Sequence, residues 1–170
     1  VTMKKWQLSI LALMSAAVML LAGCGGEPPE EEPEPAPEVS VPPVIDVDVS
    51  QLLPAEEVAS ALGVEAVTVQ IYEDGLWVHY ATEDNLTTAD VHIDKCEREY
   101  FDMLLTQYTE LQEAPNLGEA AQWSPETKEL LAYGQGYMVV VVSDIPEASD
   151  DTLLVASRQM VALLLENLAD

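Results

Sequence analysis

Met138-Val139-Val140-Val141-Val142 is an unbroken apolar run with no polar alternation. Successive side chains of a strand point to opposite faces, so this stretch is apolar on both sides and belongs at the centre of a covered sheet. Gly134-Gln135-Gly136 precedes it as a hairpin turn from a strand at Glu129 to Tyr133, because a loop this short needs residues that tolerate positive φ. The strand itself spans Gly136 to Ser143, and Gly118 to Trp123 reads as a further strand upstream. Beyond Pro146, Ser149 caps a helix with Asp150 and Asp151 in its first turn. That helix runs to about Leu168 and turns Leu153, Leu154, Ser157, Met160, Val161, Leu164 and Leu168 inward.

The other half of the domain follows the same logic. From Glu97 to Leu111 the period changes, and Tyr100, Phe101, Leu104, Leu105, Tyr108 and Leu111 form one helical stripe. Val67, Val69 and Ile71 alternate with Thr68, Gln70 and Tyr72 as a half-buried strand, and Asp74-Gly75 turns it into a second. In that second strand, Leu76 to Thr82, the residues Leu76, Val78 and Tyr80 face one way and Trp77, His79 and Ala81 the other. Val91 and Ile93 suggest a short third strand. Pro54 at the first helical position, Glu56 and Glu57 in the first turn and Gly63 past the end mark a short opening helix. The order α-βββ-α-βββ-α predicts an α+β fold, an antiparallel sheet covered by helices, in one domain over residues 51–170.

Charge excludes one large class of function. The 170 residues carry 6 Lys+Arg against 31 Asp+Glu, a net charge of −25, whereas nucleic-acid binding needs a basic face. Residues 24–50 form an acidic tether that holds seven of the 11 prolines and eight acids. It has too few large apolar groups to offset the entropy of ordering it, and about 25 residues of polyproline II reach on the order of 80 Å. From residue 51 onward, 23 acids face four bases, a net charge of −19.

The N-terminus reads as a targeting segment over residues 1–23, with Met3 expected as its true start. Lys4 and Lys5 precede an apolar run and a small-residue exit. Leu21-Ala22-Gly23-Cys24 resembles the lipobox of bacterial lipoproteins. The resemblance implies cleavage between Gly23 and Cys24, diacylglyceryl transfer to Cys24, and a place at the extracytoplasmic face of the cell membrane. Two or three acyl chains, at about 0.8 kcal/mol per buried methylene, make such an anchor stable.

The domain also resembles a family. The order of elements, Leu53-Pro54-Ala55-Glu56-Glu57-Val58-Ala59-Ser60-Ala61-Leu62-Gly63, and Gly118-Glu119-Ala120-Ala121-Gln122-Trp123 followed by Leu130-Leu131 and Gly136 to Val141 are similar to PsbP-like lipoprotein domains. That resemblance implies an antiparallel sheet between helices, noncatalytic roles in holding partner proteins at a membrane, and no catalytic residues.

Candidate chemistry is sparse. His79, His92 and Cys96 are the only soft ligands besides Cys24, with His92 and Cys96 spaced to share a helical face, yet a zinc site wants three or four ligands. No metal and no cofactor is expected. Cys96, beside Lys95 and Arg98 but also Glu97 and Glu99, reads as a semi-buried structural thiol. The acid pairs Glu56/Glu57, Glu73/Asp74, Glu83/Asp84 and Asp150/Asp151 fall at turns or helix starts, without the ligand spacing of a calcium loop. No Gly-flanked Ser elbow marks a hydrolase, and Asn85-Leu86-Thr87 reads as an exposed turn. Trp77, Trp123 and Tyr137 are the candidate surface for a partner or ligand, with core packing the alternative for each. The expectation is a membrane-anchored, noncatalytic binding or assembly module for an envelope protein or small ligand. A cation or ligand sensor and a carboxylate-based hydrolase stand as rivals.

Overall fold

A computed structural model describes residues 47–72 and 75–169. The elements run α1 (Val49–Leu52), α2 (Ala55–Leu62), β1 (Thr68–Ile71), β2 (Trp77–Ala81), β3 (Thr88–Lys95), α3 (Arg98–Leu105), β4 (Gln112–Glu113), β5 (Ala120–Ser124), β6 (Glu129–Gly134), β7 (Tyr137–Asp144) and α4 (Asp150–Asn167). All strands join one seven-stranded antiparallel sheet in the order β1-β2-β3-β7-β6-β5-β4. The fold is α+β, as the order of elements predicts, and the apolar run at 138–142 lies in the middle strand of the seven. No helix among the described residues is long and apolar enough to cross a membrane.

The two meanders, β1-β2-β3 and β4-β5-β6-β7, meet along β3 and β7. Their ladder extends from Thr88↔Asp144 to Lys95↔Tyr137. The third strand is therefore long and central, not the short element expected from Val91 and Ile93. Its buried positions Ala89, Val91 and Ile93 alternate with Asp90, His92 and Asp94, and the polar set had masked the strand.

One face of the sheet carries the main core. Val78, Tyr80, Ala89, Val91, Ile93, Ala121, Trp123, Leu130, Ala132, Val139 and Val141 pack there with Leu153, Ala156, Met160, Val161, Leu164 and Leu165 of α4. Each fully buried large side chain contributes about 1.5–3 kcal/mol. Within α4, Ala156 and Leu165 are buried while Leu154 and Leu168 are only partly so, a small rotation of the expected face. Ser149 caps α4 by accepting from the Thr152 amide, and Ser157 is buried because its hydroxyl bonds Ser143 of β7 at 2.9 Å.

The folded region begins before the expected boundary at residue 51. Asp48 caps α1, its Oδ1 accepting from the Ser50 amide at 2.9 Å and from the Ser50 hydroxyl at 2.7 Å, and these bonds hold its carboxyl below the usual range. Val49 behind it is fully buried. Burial of Val49 fixes residues 47–50 to the domain, which the acidic composition alone had assigned to the tether. Pro54 is the cap residue of α2, not its first helical position, and Gly63 closes that helix with φ +70.

The α1–α2 junction is tied from two directions. Tyr80 donates its hydroxyl to the Leu53 carbonyl at 2.7 Å, and Asn167 Nδ2 donates to the Leu52 carbonyl at 2.7 Å.

On the opposite face, Phe101, Leu131, Tyr133 and Met138 form a smaller core, with Leu104, Leu105, Tyr108 and Leu111 packed against it. The expected helix from Glu97 to Leu111 ends at Leu105. Thr106, Gln107 and Tyr108 donate three residues back instead of four, and Thr106 Oγ1 also turns back onto the Met103 carbonyl. The apolar stripe continues past the helix as irregular chain. It leads into β4, a two-residue strand with no sequence signal of its own.

Two predictions follow from these contacts. A Cβ at Gly118, where φ is +55, would meet the Tyr133 carbonyl oxygen and come within 2.9 Å of Leu165 Cδ1. Gly118→Ala should therefore lower stability by about 2–4 kcal/mol, read as a fall in the urea midpoint at unchanged slope. Burial, and next the charge of Asp48, raise the Tyr80 hydroxyl well above its ordinary value of 10.0. Above pH 10 the unfolded chain loses this proton and the folded chain keeps it, so stability falls as pH rises. Urea midpoints measured from pH 8 to 11 should drop, and Tyr80→Phe should flatten that drop.

Candidate functional site

Among the described residues, no helix packs against the half of the second face that lies over β1, β2 and β3. Cross-strand pairing sets what it displays. Trp77 pairs with His92 and His79 with Asp90, so these four side chains share a face with Asp94. The Tyr72 amide donates to the Trp77 carbonyl at 3.1 Å and brings Tyr72 alongside. The Tyr72 and Trp77 rings lie 5.7 Å apart at 57°, and the Trp77 and His92 rings 5.7 Å apart at 44°. These tilted contacts suit the positive edge of one ring against the face of the next.

This three-ring strip is accessible: Tyr72 is 43% exposed and Trp77 47%. His79 Nδ1 and Asp90 Oδ1 are 2.8 Å apart, and His92 Nε2 and Asp94 Oδ2 are 3.6 Å apart. Asp90 thus orients the His79 imidazole, and Asp94 lies beside His92. Among the described residues, no hydroxyl or thiol is hydrogen-bonded to either ring. Among the described residues this face is aromatic and acidic. Such a surface is suited to ring stacking, cation–π attraction and hydrogen bonding to carboxylates.

The three aromatics expected to share a surface are separated. Trp77 is on the open face. Trp123 is 1% exposed in the main core on the other side. Tyr137 is half-buried against that same core. Phase distinguishes them: Trp123 keeps step with Ala121 and alternates with Gln122, whereas Trp77 keeps step with His79 and alternates with buried Val78 and Tyr80. For Tyr137 the phase is ambiguous, because Met138, Val140 and Val142 are as apolar as Val139 and Val141. Tyr72, His92, Asp90 and Asp94 belong to the site although only the β1–β2 and β2–β3 registers reveal them.

The remaining candidates are accounted for locally. His92 lies on β3 and Cys96 beyond its end, so they share no helical face. Burial first, then the charge of Asp94, push the Cys96 thiol above its usual value and disfavour the thiolate nucleophile. No cluster of three potential metal ligands occurs among the described residues. Asp84 spends its Oδ1 on its own turn, accepting from Thr82 Oγ1 at 2.7 Å and the Leu86 amide at 3.1 Å. The shallow hollow beside it, about 490 Å³, is lined by Val64, Thr82, Glu83, Asp84 and Thr87. Glu56 and Glu57 occupy the first turn of α2, and Asp150 in that of α4 pairs with Lys128 at 2.6 Å. Gln135 and Gly136, at φ 56 and 77, form the hairpin turn between β6 and β7. Gly23, Cys24, the tether up to residue 46, and Glu73 and Asp74 lie outside the described residues.

Comparison with known proteins returns no match to a family model, a curated protein or a solved structure.

The two tryptophans should respond oppositely to truncation. Trp123→Ala should cost about 3–5 kcal/mol of unfolding free energy, the price of emptying a core site. Trp77→Ala should cost under about 1 kcal/mol, so equal losses in urea melts would show that Trp77 serves the core.

Proposed function

We propose that the chain is a noncatalytic binding module, lipid-anchored at the extracytoplasmic face of a bacterial cell membrane, which holds an envelope protein against the open half of its sheet. The observation that carries this reading is the Tyr72–Trp77–His92 strip, where Trp77 lies against both other rings and the strip is in reach of solvent. A monomer gains no stability from exposing two large aromatics side by side, whereas interfaces concentrate their energy in such groups. Beside the strip, Asp90 orients His79 as a hydrogen-bonding group, and an acyl-transfer site would need a nucleophile bonded to that base.

The anchor half of the proposal rests on the lipobox-like Leu21-Ala22-Gly23-Cys24 and the acidic proline tether after it. A domain of net charge −19 is repelled by anionic headgroups, so an acyl chain is the means suited to keeping it at the surface. The likeness to PsbP-like lipoprotein domains points the same way.

Both halves can be tested in cells. Cys24→Ser should leave the domain folded and free it from membranes, and a variant still bound after carbonate washing would overturn the anchor. A photo-crosslinking residue at position 77 should capture one near-stoichiometric envelope protein. The same probe at Val155, exposed on α4, should capture none. Equal or absent adducts at the two positions would remove the open face as the binding surface.

A further inference from the structure

We infer that β1 is a pairing edge, and that the partner adds to it an extended, cationic segment as an eighth antiparallel strand. This rests on the binding reading above and specifies how the partner is held. The sheet ends at β1, with no strand on its outer side among the described residues. The Tyr72 amide bonds the Trp77 carbonyl, and antiparallel ladders alternate, so Gln70 and Thr68 also bond inward. The amides and carbonyls of Val69 and Ile71 therefore point out of the sheet and are available to another strand.

Exposed edges are normally blunted by charge, proline or shortness. The opposite edge is: β4 is two residues long, includes Glu113 and is followed by Pro115. Thr68-Val69-Gln70-Ile71 has no charge and no proline in a chain with 22% charged residues. Both sides of this edge are open, one aliphatic and the other aromatic beside Thr68 and Gln70. Val69 and Ile71 are 40% and 49% exposed on the main-core side, and Tyr72 and Trp77 are exposed on the other.

Charge selects the occupant. None of the domain's four cations lies on β1 or β2, and Lys128 and Arg98 are already paired with Asp150 and Asp102. The flanking ionisable side chains on the open face are Asp90 and Asp94 with their imidazoles. A second copy would bring −19 against −19. A strand that alternates apolar and cationic side chains fits both sides, its apolar set beside Val69 and Ile71 and its cations over Tyr72 and Trp77.

Amide hydrogen exchange on the chain from residue 24 onward carrying Cys24→Ser tests this, with synthetic peptides of about seven residues, an ordinary strand length. Alternating Lys and Val should slow exchange at the Val69 and Ile71 amides by at least about tenfold, while alternating Glu and Val should not. Ile71→Pro removes an outward donor without touching the inner ladder and should abolish the protection. If that variant does not fold, Ile71→Lys keeps the backbone and should weaken the Lys peptide about tenfold.

No protection with the Lys peptide, or equal protection with both peptides, overturns the inference. So does protection already present without peptide, which assigns the edge to the chain's own earlier residues, or protection that grows with protein concentration, which assigns it to a second copy. A Trp77 fluorescence change without amide protection overturns strand addition while leaving the open face as the binding surface.

Discussion

The ladder between β3 and β7 is the seam on which the structure depends. On one side of it β1, β2 and β3 form a meander of local hairpins, and on the other β4 to β7 form a second. Each meander has an apolar inner face that needs cover. The pairing from Thr88↔Asp144 to Lys95↔Tyr137 merges their inner faces into one surface. On that continuous surface α4, which follows β7 directly, buries its apolar side; α2 packs on α4, and α1 packs on α4, β2 and β3. The Tyr80 and Asn167 bonds to the carbonyls of Leu53 and Leu52 then attach the start of the domain to both the sheet and the last helix.

Helix length explains why half of one face is bare of helix among the described residues. Seven strands at about 4.8 Å span about 29 Å, and α4, with 18 residues, is about 27 Å long. The helix inserted between β3 and β4 has 8 residues and reaches about 12 Å even if laid straight across the strands. It covers the part of the sheet around Leu131, Tyr133 and Met138 and leaves β1, β2 and the outer positions of β3 open. The irregular continuation through Tyr108 and Leu111 adds cover on that same part. The bare region is a consequence of helix length, and the residues there match it: His79, Asp90, His92 and Asp94 occupy strand positions that a covering helix would force into burial.

Much of this was legible in the sequence wherever one face of an element is apolar and the other polar. The Ser149 cap, the alternation of β2 and the apolar character of β7 are local signals, and they appear as read. What depended on register was not legible. The site is made of pairs such as Trp77↔His92 and His79↔Asp90, and nothing local reports how many residues the loop between two strands will use. The length of β3 was hidden for a related reason: its open face is lined with Asp and His, which a strand pattern discounts. Val49 was hidden by composition, a single buried apolar residue at the end of an acidic segment. Phase alone would have separated Trp77 from Trp123, because each keeps step with a different neighbour set.

An uncharged edge beside exposed aromatics is an arrangement that favours edge-to-edge association. Here it sits in a domain whose acids outnumber its bases by 23 to four. That imbalance adds nothing to the core, and self-repulsion opposes compactness. Its effect is between molecules: two like-charged domains resist the approach that edge pairing requires, while a cationic segment is drawn to it. The acidity and the open edge are therefore best understood together, with the first suppressing the wrong occupant of the second. On this argument, adding bases on surfaces far from β1 would promote self-association without altering a single contact of the fold.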